Sequence, residues 1–370
     1  MEREPAVWTY ATAAQEALSN RETALRKKQE LASKPGGVNA FLSGVTIAPI
    51  DVEKELQTYH DVLASGILPE ELVGVEVFRD IMLNLNNEQL FQDALGPSRY
   101  FTLGVKDPEG KMIGAIGMAV FCHKEGPATI HGSFHVLLPE YRALGIGNRM
   151  MDAVPQVAAN YIASQEGRPG ALAAGKVIHF IETNDIKSMT VADSLMDRVM
   201  AMHPIVRDEH WERKGFRELD GIDYVLREDP PIPMALKAME IRVSTGNGGL
   251  LDIKQAPPEF VAASTVAAHV RALDTWIMTT ETSRESLLQG RPLNDPIADA
   301  LIKSPIGGGD FYFVVPLQKA QTRRAYWERI DKKIGDLPPE QVRHHMSKQF
   351  CELTALAGGT FPRHTQRPTL

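Results

Sequence analysis

The sequence predicts an α/β protein. Strands and helices alternate through residues 44–229, a helical arm (1–43) precedes them, and an α+β extension (230–358) and a disordered tail (359–370) follow. Three observations predict this. Two apolar strands flank a turn-forming tetrapeptide, a third apolar strand runs through a glycine-containing loop into a helix, and a proline cluster divides the chain near residue 230.

The arm is alanine-rich and polar from Tyr10 to Lys34 and stops at Pro35-Gly36-Gly37, so it reads as a helix that packs on the rest or on a second copy in a homodimer. Val45 to Ile50 reads as a strand, and Asp51 as the N-cap of a helical region running to about Asn86. Tyr100–Lys106 and Lys111–Phe121 form a hairpin about Asp107-Pro108-Glu109-Gly110, residues that favour a tight turn. The next strand, Ala128–Leu138, ends at Pro139, which cannot donate to a ladder. A helix begins near Gly145, and Pro155 within it is expected to kink or shorten it. Val177–Glu182 and Ile222–Leu226 read as further strands. Asp229-Pro230-Pro231-Ile232-Pro233 marks the expected domain boundary. Beyond it, Met239–Val243, Leu250–Ile253 and Phe311–Val315 read as strands; Pro258–His269, Gln318–Ile334 and Pro338–Leu356 read as helices.

Composition narrows the function. A net charge of −7 argues against general nucleic-acid binding, which needs a basic surplus. Cys122 and Cys351 have neither metal-ligand spacing nor a disulfide partner pattern. His344-His345 lacks a third ligand at helical spacing, so no metal is expected. Gly307-Gly308-Gly309 precedes a strand rather than a helix, the reverse of a phosphate loop. Trp276 and Trp327 read as core or interface anchors. The N-terminus lacks the basic start and apolar run of a signal peptide, and no apolar stretch reaches membrane-spanning length, so a cytoplasmic location without membrane association is expected.

The segment Arg142-Ala143-Leu144-Gly145-Ile146-Gly147 carries the chemistry. A helix N-terminus offers unpaired backbone N–H groups and partial positive charge, which suit a pyrophosphate. Glycines at 145 and 147 let phosphate approach the backbone, and Arg142 adds a fixed charge. Val136 to Met151 resembles the cofactor motif of the GNAT superfamily of acyl-CoA N-acyltransferases, whose signature is Q/R-x-x-G-x-G/A after a strand ending in proline. A second likeness lies downstream, where His210-Trp211-Glu212-Arg213-Lys214-Gly215-Phe216 and then Asp223-Tyr224-Val225-Leu226 are similar to the family's closing pattern.

The resemblance implies a mixed, strongly twisted sheet splayed between its fourth and fifth strands, with acetyl-CoA or another acyl-CoA as co-substrate lying in the splay. Backbone groups of Val136, Leu137 and Leu138 would pair with the pantetheine arm, and amides from Ala143, Leu144, Gly145, Ile146, Gly147 and Asn148 would hold the pyrophosphate. Asn184, at the close of Val177–Glu182, the fourth strand counted from the hairpin, fits the family's cofactor-contacting asparagine. An amine-bearing acceptor (small molecule, nucleoside or peptide) would enter from the opposite side.

Strand alternation puts His131, Ser133 and His135 on one face. Histidine is the default proton carrier near neutral pH. Some family members place a base histidine eleven residues before the motif arginine, which is His131 here. His135 and Glu182 are the competing bases. The chain departs from the pattern at Trp211, where the family often has a thiolate-protonating tyrosine; an indole N–H cannot give up its proton. It also departs at Met189–Pro204, which reads as an inserted helix. Trp211 keeps open a second reading, a non-catalytic module that binds acyl-CoA or a protein.

Overall fold

The computed structural model describes residues 10–67, 72–83, 86, 89–165, 175–184, 210–219, 224–226, 232–245, 251–273 and 311–313. The expected inserted helix, the last two expected helices, Trp276, Trp327, Gly307–Gly309, His344-His345, Cys351 and the tail lie outside the described residues.

The arm is α1 (Tyr10–Ala32) followed by α2 (Gly37–Gly44). Strand β1 (Thr46–Pro49) leads into α3 (Val52–Ala64), whose N-cap Asp51 accepts from Glu53 N at 3.2 Å while its own N–H donates to Glu55 Oε2 at 3.0 Å. That reciprocal cap satisfies two donors at the helix start. The single helical region expected to reach Asn86 is broken. Ser65 and Gly66 turn back onto Val62 and Leu63 to end α3, and α4 (Val75–Leu83) starts afresh after Gly74, followed by α5 (Gln89–Leu95).

The hairpin is β2 (Ser98–Lys106) and β3 (Met112–Phe121). Asp107 Oδ1 accepts from Glu109 N at 3.0 Å and Lys111 N at 2.9 Å, which closes the turn. Every residue of β3 is buried, as an apolar strand covered on both faces requires. A Cβ at Gly117 would lie 2.4 Å from Tyr100 Oη and 2.8 Å from a Phe134 ring carbon, so only glycine fits there. Strand β4 (Ala128–Leu137) ends before Pro139, as expected, and α6 (Ile146–Ser164) follows. Pro155 is buried within α6, and the helix is not shortened by it.

Strand β5 (Lys176–Asn184) is succeeded by β6 (Arg217–Glu218), β7 (Tyr224–Leu226), β8 (Ile232–Thr245), β9 (Leu251–Ala256), β10 (Phe260–Ala262), α7 (Ala263–Leu273) and β11 (Phe311–Phe313). Among the described residues, nine strands form one sheet in the order β1-β2-β3-β4-β5-β8-β6, with β7 and β9 also on β8; β10 and β11 form a separate pair. Among the described residues, only β4 and β5 pair in parallel, and the remaining pairs are antiparallel. This is the mixed sheet flanked by helices that the GNAT resemblance implies.

Two expectations are corrected. The place beside β5 belongs to β8, paired from Lys176↔Arg242 to Asn184↔Met234, and Tyr224–Leu226 forms a short edge on β8. The sheet therefore crosses residues 229–230, where the sequence indicated a domain boundary. Pro258–His269, expected as helix, opens with β10 before α7 begins.

The core has two sides. Apolar residues of α6 pack with Ile116, Met118, Val120 and Ile130 on one face of the sheet; α3 and α4 pack with Tyr100, Ala119 and Phe121 on the other, where α7 contributes Ala272. No described helix is long and apolar enough to cross a membrane.

Candidate functional site

The parallel pairing of β4 with β5 starts at Ala128↔Val177 and stops at Gly132↔Ile181. Both strands continue, but apart: β4 stays on β3, and β5 stays on β8. Gly132, Ser133, Phe134 and His135 are half-buried, between buried His131 and Val136, and so mark the opening.

The register of β3 on β4 shifts at this opening. Met118 pairs Gly132 and Gly117 pairs Phe134, leaving Ser133 as an extra residue. Side chains alternate with a period of two, so one extra residue exchanges the faces downstream. His131 pairs Ala119 on the α3 and α7 side; His135 pairs Ile116 on the α6 side. The expectation that His131, Ser133 and His135 share a face fails for this reason.

The α6 flank begins at the loop. Pro139–Tyr141 form a 3-10 turn, and the Tyr141 ring stacks on Phe41 at 5.9 Å, so the arm buttresses the loop from behind. The Leu137–Leu138 peptide donates Leu138 N–H to Ile113 O at 2.9 Å, toward β3. Its carbonyl points the other way because the peptide is planar. Arg142 Nε binds that carbonyl, Leu137 O, at 3.0 Å. Burial draws the Arg142 guanidinium down to about 10, which leaves it cationic at neutral pH. Arg142 thus staples the loop to the end of β4 as well as charging it.

Ala143 (φ 61°) and Gly145 (φ 92°) are both left-handed, and Gly145 caps α6. Leu144 and Ile146 bury their side chains in the core, which anchors the loop and leaves its backbone outward. Asn148 N–H turns back to Gly145 O at 3.2 Å, which removes it from the expected row of free donors. The amides of Ile146 and Gly147 have no helical acceptor. Only His210 Cε1, at 3.9 Å, approaches the position of a Cβ at Gly147. Lys214 Nζ, bound to Asp152 Oδ1 at 2.8 Å and Asn148 O at 3.3 Å, ties residues 210–214 to the first turns of α6.

Deeper on this flank the side chains are aromatic. His135 lies 6.0 Å from Trp211, Trp211 5.5 Å from Phe216, and Phe216 4.9 Å from His179, centroid to centroid. His135 Nε2, Trp211 Nε1 and both nitrogens of His179 are buried without a hydrogen-bond partner. A Cβ at Gly132 would sit 3.1 Å from His179 Nε2, which places that ring against the start of the opening. Burial pushes both His135 and His179 down to about 3. They are therefore neutral at physiological pH.

The opposite flank holds His131 and Glu182. His131 pairs Phe180 across the sheet, and Glu182, two residues on, shares that face. His131 is 5% exposed and Glu182 half-buried, so Glu182 is the outer member. Burial lowers the His131 pKa, and the charge of Glu182 opposes that shift. Around them, His131 Nδ1 and Tyr59 Oη are buried and unpartnered, while the Ser133 and Tyr100 hydroxyls face one another. His269 of α7 lies 5.5 Å from His131 and 4.3 Å from Phe180. Asn184 closes β5 at Met234. Among the described residues no group of three or more His, Cys, Asp or Glu could hold a metal ion.

Sequence reasoning missed Tyr59, Tyr100, Thr129, His179 and His269. Their positions depend on long-range register, and no local motif marks them.

No protein-family model matches the chain, and no curated protein matches it. Among solved structures it is similar to the NatC complex bound to Gag peptide and CoA, at 16% identity and TM-score 0.32, covering 54% of this chain and 99% of that one. It is similar to aminoglycoside 6'-acetyltransferase type Ii at 16% identity and TM-score 0.32, covering 52% and 95%. A GNAT-family acetyltransferase from Staphylococcus aureus gives 13% identity and TM-score 0.31, covering 52% and 98%.

Proposed function

We propose that the chain is an N-acyltransferase that moves an acetyl or other short acyl group from acyl-CoA to an amine acceptor. The observation that carries this reading is the set of buried, unpartnered polar atoms on both flanks of the β4–β5 opening: His135, His179 and Trp211 on one side, Tyr59 and His131 on the other. Burying such groups unpaired costs about 1–3 kcal/mol each, a cost that a polar ligand in the opening would offset.

In this reading the free amides at Ile146 and Gly147, with cationic Arg142 behind them, hold the pyrophosphate of acetyl-CoA. The acyl thioester reaches the opening just beyond the Gly132↔Ile181 pair. The acceptor arrives on the Glu182 side as an ammonium and gives one proton to the Glu182–His131 pair, since only the neutral amine attacks. The nitrogen bonds to the thioester carbon, the C–S bond breaks, the nitrogen gives its second proton to water to become the amide, and the thiolate leaves. Trp211 Nε1–H can donate a hydrogen bond to that sulfur but keeps its proton, so solvent protonates the thiolate. The acceptor belongs to the class of small-molecule, nucleoside or peptide amines.

Trp211 supports a second reading, an acyl-CoA-binding module without turnover. Calorimetry with acetyl-CoA on wild type and Gly147→Trp, followed by a thiol-release screen across amines, separates the readings. Acetyl-CoA binding by the wild type, its loss in G147W with the circular dichroism unchanged, and thiol release with at least one amine are expected. Binding without release favours the module; no binding by the wild type defeats both.

A further inference from the structure

Behind His131 a line of polar groups runs away from the opening. His269 Nδ1 lies 2.9 Å from Thr129 Oγ1, and Thr129 Oγ1 lies 2.8 Å from His123 Nε2. His269 is fully buried, and His123, just past the end of β3, is 8% exposed. His269 Nε2 and His131 Nδ1 are both buried without a partner, on rings 5.5 Å apart and inclined at 36°. A proton passing between those two nitrogens needs one water as a bridge.

We propose that the proton taken up at the Glu182–His131 pair leaves through His269, Thr129 and His123, a relay whose central imidazole is supplied by α7. The inference rests on the acyltransferase reading of the same site.

The chemistry of the middle link gives the line a direction. A threonine hydroxyl has one hydrogen and two lone pairs. Set between two ring nitrogens, it must accept from one imidazole and donate to the other. With His269 Nδ1–H donating and His123 Nε2 accepting, one proton moves outward when every bond in the line reverses. The acceptor's proton arrives at His131 Nε2, His131 Nδ1–H passes to the bridging water, and that water gives a proton to His269 Nε2. His269 Nδ1–H passes to Thr129 Oγ1, the Thr129 O–H passes to His123 Nε2, and His123 Nδ1–H goes to water. One proton enters, one leaves, and no charge is left in the core.

Neutral imidazoles are what such a line needs, because each accepts on one nitrogen and donates on the other. Burial keeps both His131 and His269 on the neutral side. The titratable and charged groups about them are His123 beyond β3, His179 and Glu182 on β5, and Arg271 on α7 itself. A purely packing role for His269 against Phe121 and Phe180 would be met better by an apolar side chain, which would leave no buried nitrogen unpaired.

Thr129→Val keeps the shape and removes the hydroxyl. It is expected to lower kcat at pH 7 about tenfold and to move the kcat–pH profile to higher pH, with KM and acetyl-CoA affinity unchanged. Thr129→Ser is expected to restore wild-type behaviour. Should T129V not fold, His269→Gln carries the same expectation. An active wild type whose kcat and pH profile are matched by T129V, or by H269Q in its place, overturns the relay alone. A wild type that binds acetyl-CoA but releases thiol with no amine removes the acyltransferase reading, and the relay with it.

Discussion

On the α6 flank of the opening the candidate groups are mainly backbone: two amides at the start of a helix that lack a helical acceptor, a loop with two left-handed residues, and a carbonyl taken by Arg142. On the α7 flank they are side chains drawn from α3, β2, β4, β5 and α7. Backbone sites are written in short contiguous motifs. Side-chain sites are written in the register of elements far apart in sequence. The difference has a consequence for mutation: the first flank is sensitive to what a residue lacks, the second to what it carries. Ser133 joins them, since one extra residue in β4 sends His131 to one flank and His135 to the other.

The largest expected effect tests that division. His131→Gln is expected to lower kcat at neutral pH about a hundredfold, in the range of a lost acid–base group, and to leave acetyl-CoA affinity within about twofold. His135→Gln is expected to do the reverse, weakening acetyl-CoA by about tenfold with little change in kcat. Steady-state kinetics and calorimetry on the two variants decide it. Equal loss of kcat in both would mean that the bulge does not separate the two histidines.

The next effect reads both flanks through pH. Burial depresses the pKa of His131, His135, His179 and His269 in the folded state, so the unfolded chain takes up protons first as pH falls. The stability these neutral rings contribute is complete above about 6.5 and is lost progressively below it. His179, 1% exposed and pushed down to about 3, accounts for about 2 kcal/mol of loss by pH 5 on its own. His135, at the edge of the opening, contributes less. Urea unfolding at pH 7 and pH 5 measures the sum. His179→Leu is expected to recover about 2 kcal/mol of the difference, and a wild type equally stable at both values contradicts the burial of these rings.

Much of the α6 flank was legible in the sequence because its parts are local. Asp107 and Gly110 mark a turn by their own chemistry, Pro139 ends β4, and Gly145 and Gly147 lie where a strand meets a helix. The α7 flank was mostly illegible. Ser133 bulges for reasons of pairing with Gly117 and Met118, and nothing in its neighbours announces it. The prolines at 230, 231 and 233 read as a linker, yet Pro233 sits near the start of β8, where a strand tolerates proline, opposite Val225 of short β7. Once β8 was assigned to another domain, β10 and α7 went with it, and His269 could not be placed against His131. In the sequence Glu182 and His131 stand as separate candidates; that they share a face depends on the parallel register of β4 on β5.

The smallest effect isolates the backbone character of the α6 flank. Gly145 and Gly147 are two residues apart, and neither has a close neighbour where a Cβ would go; the nearest atom to either is His210 Cε1, 3.9 Å from the Gly147 position. They differ in conformation. Gly145 has φ +92°, whereas Gly147 lies in the first turn of α6. An alanine at 145 must therefore adopt a left-handed backbone, at a cost of about 1–2 kcal/mol, whereas an alanine at 147 gains about 0.5–1 kcal/mol from helix propensity. Thermal unfolding of Gly145→Ala and Gly147→Ala is expected to move in opposite directions. Acetyl-CoA binding is expected to weaken in both, because at 147 the added methyl stands beside the free amides. If G147A unfolds later than wild type and binds acetyl-CoA as well, Gly147 serves the helix alone, and the pyrophosphate must be held elsewhere on the loop.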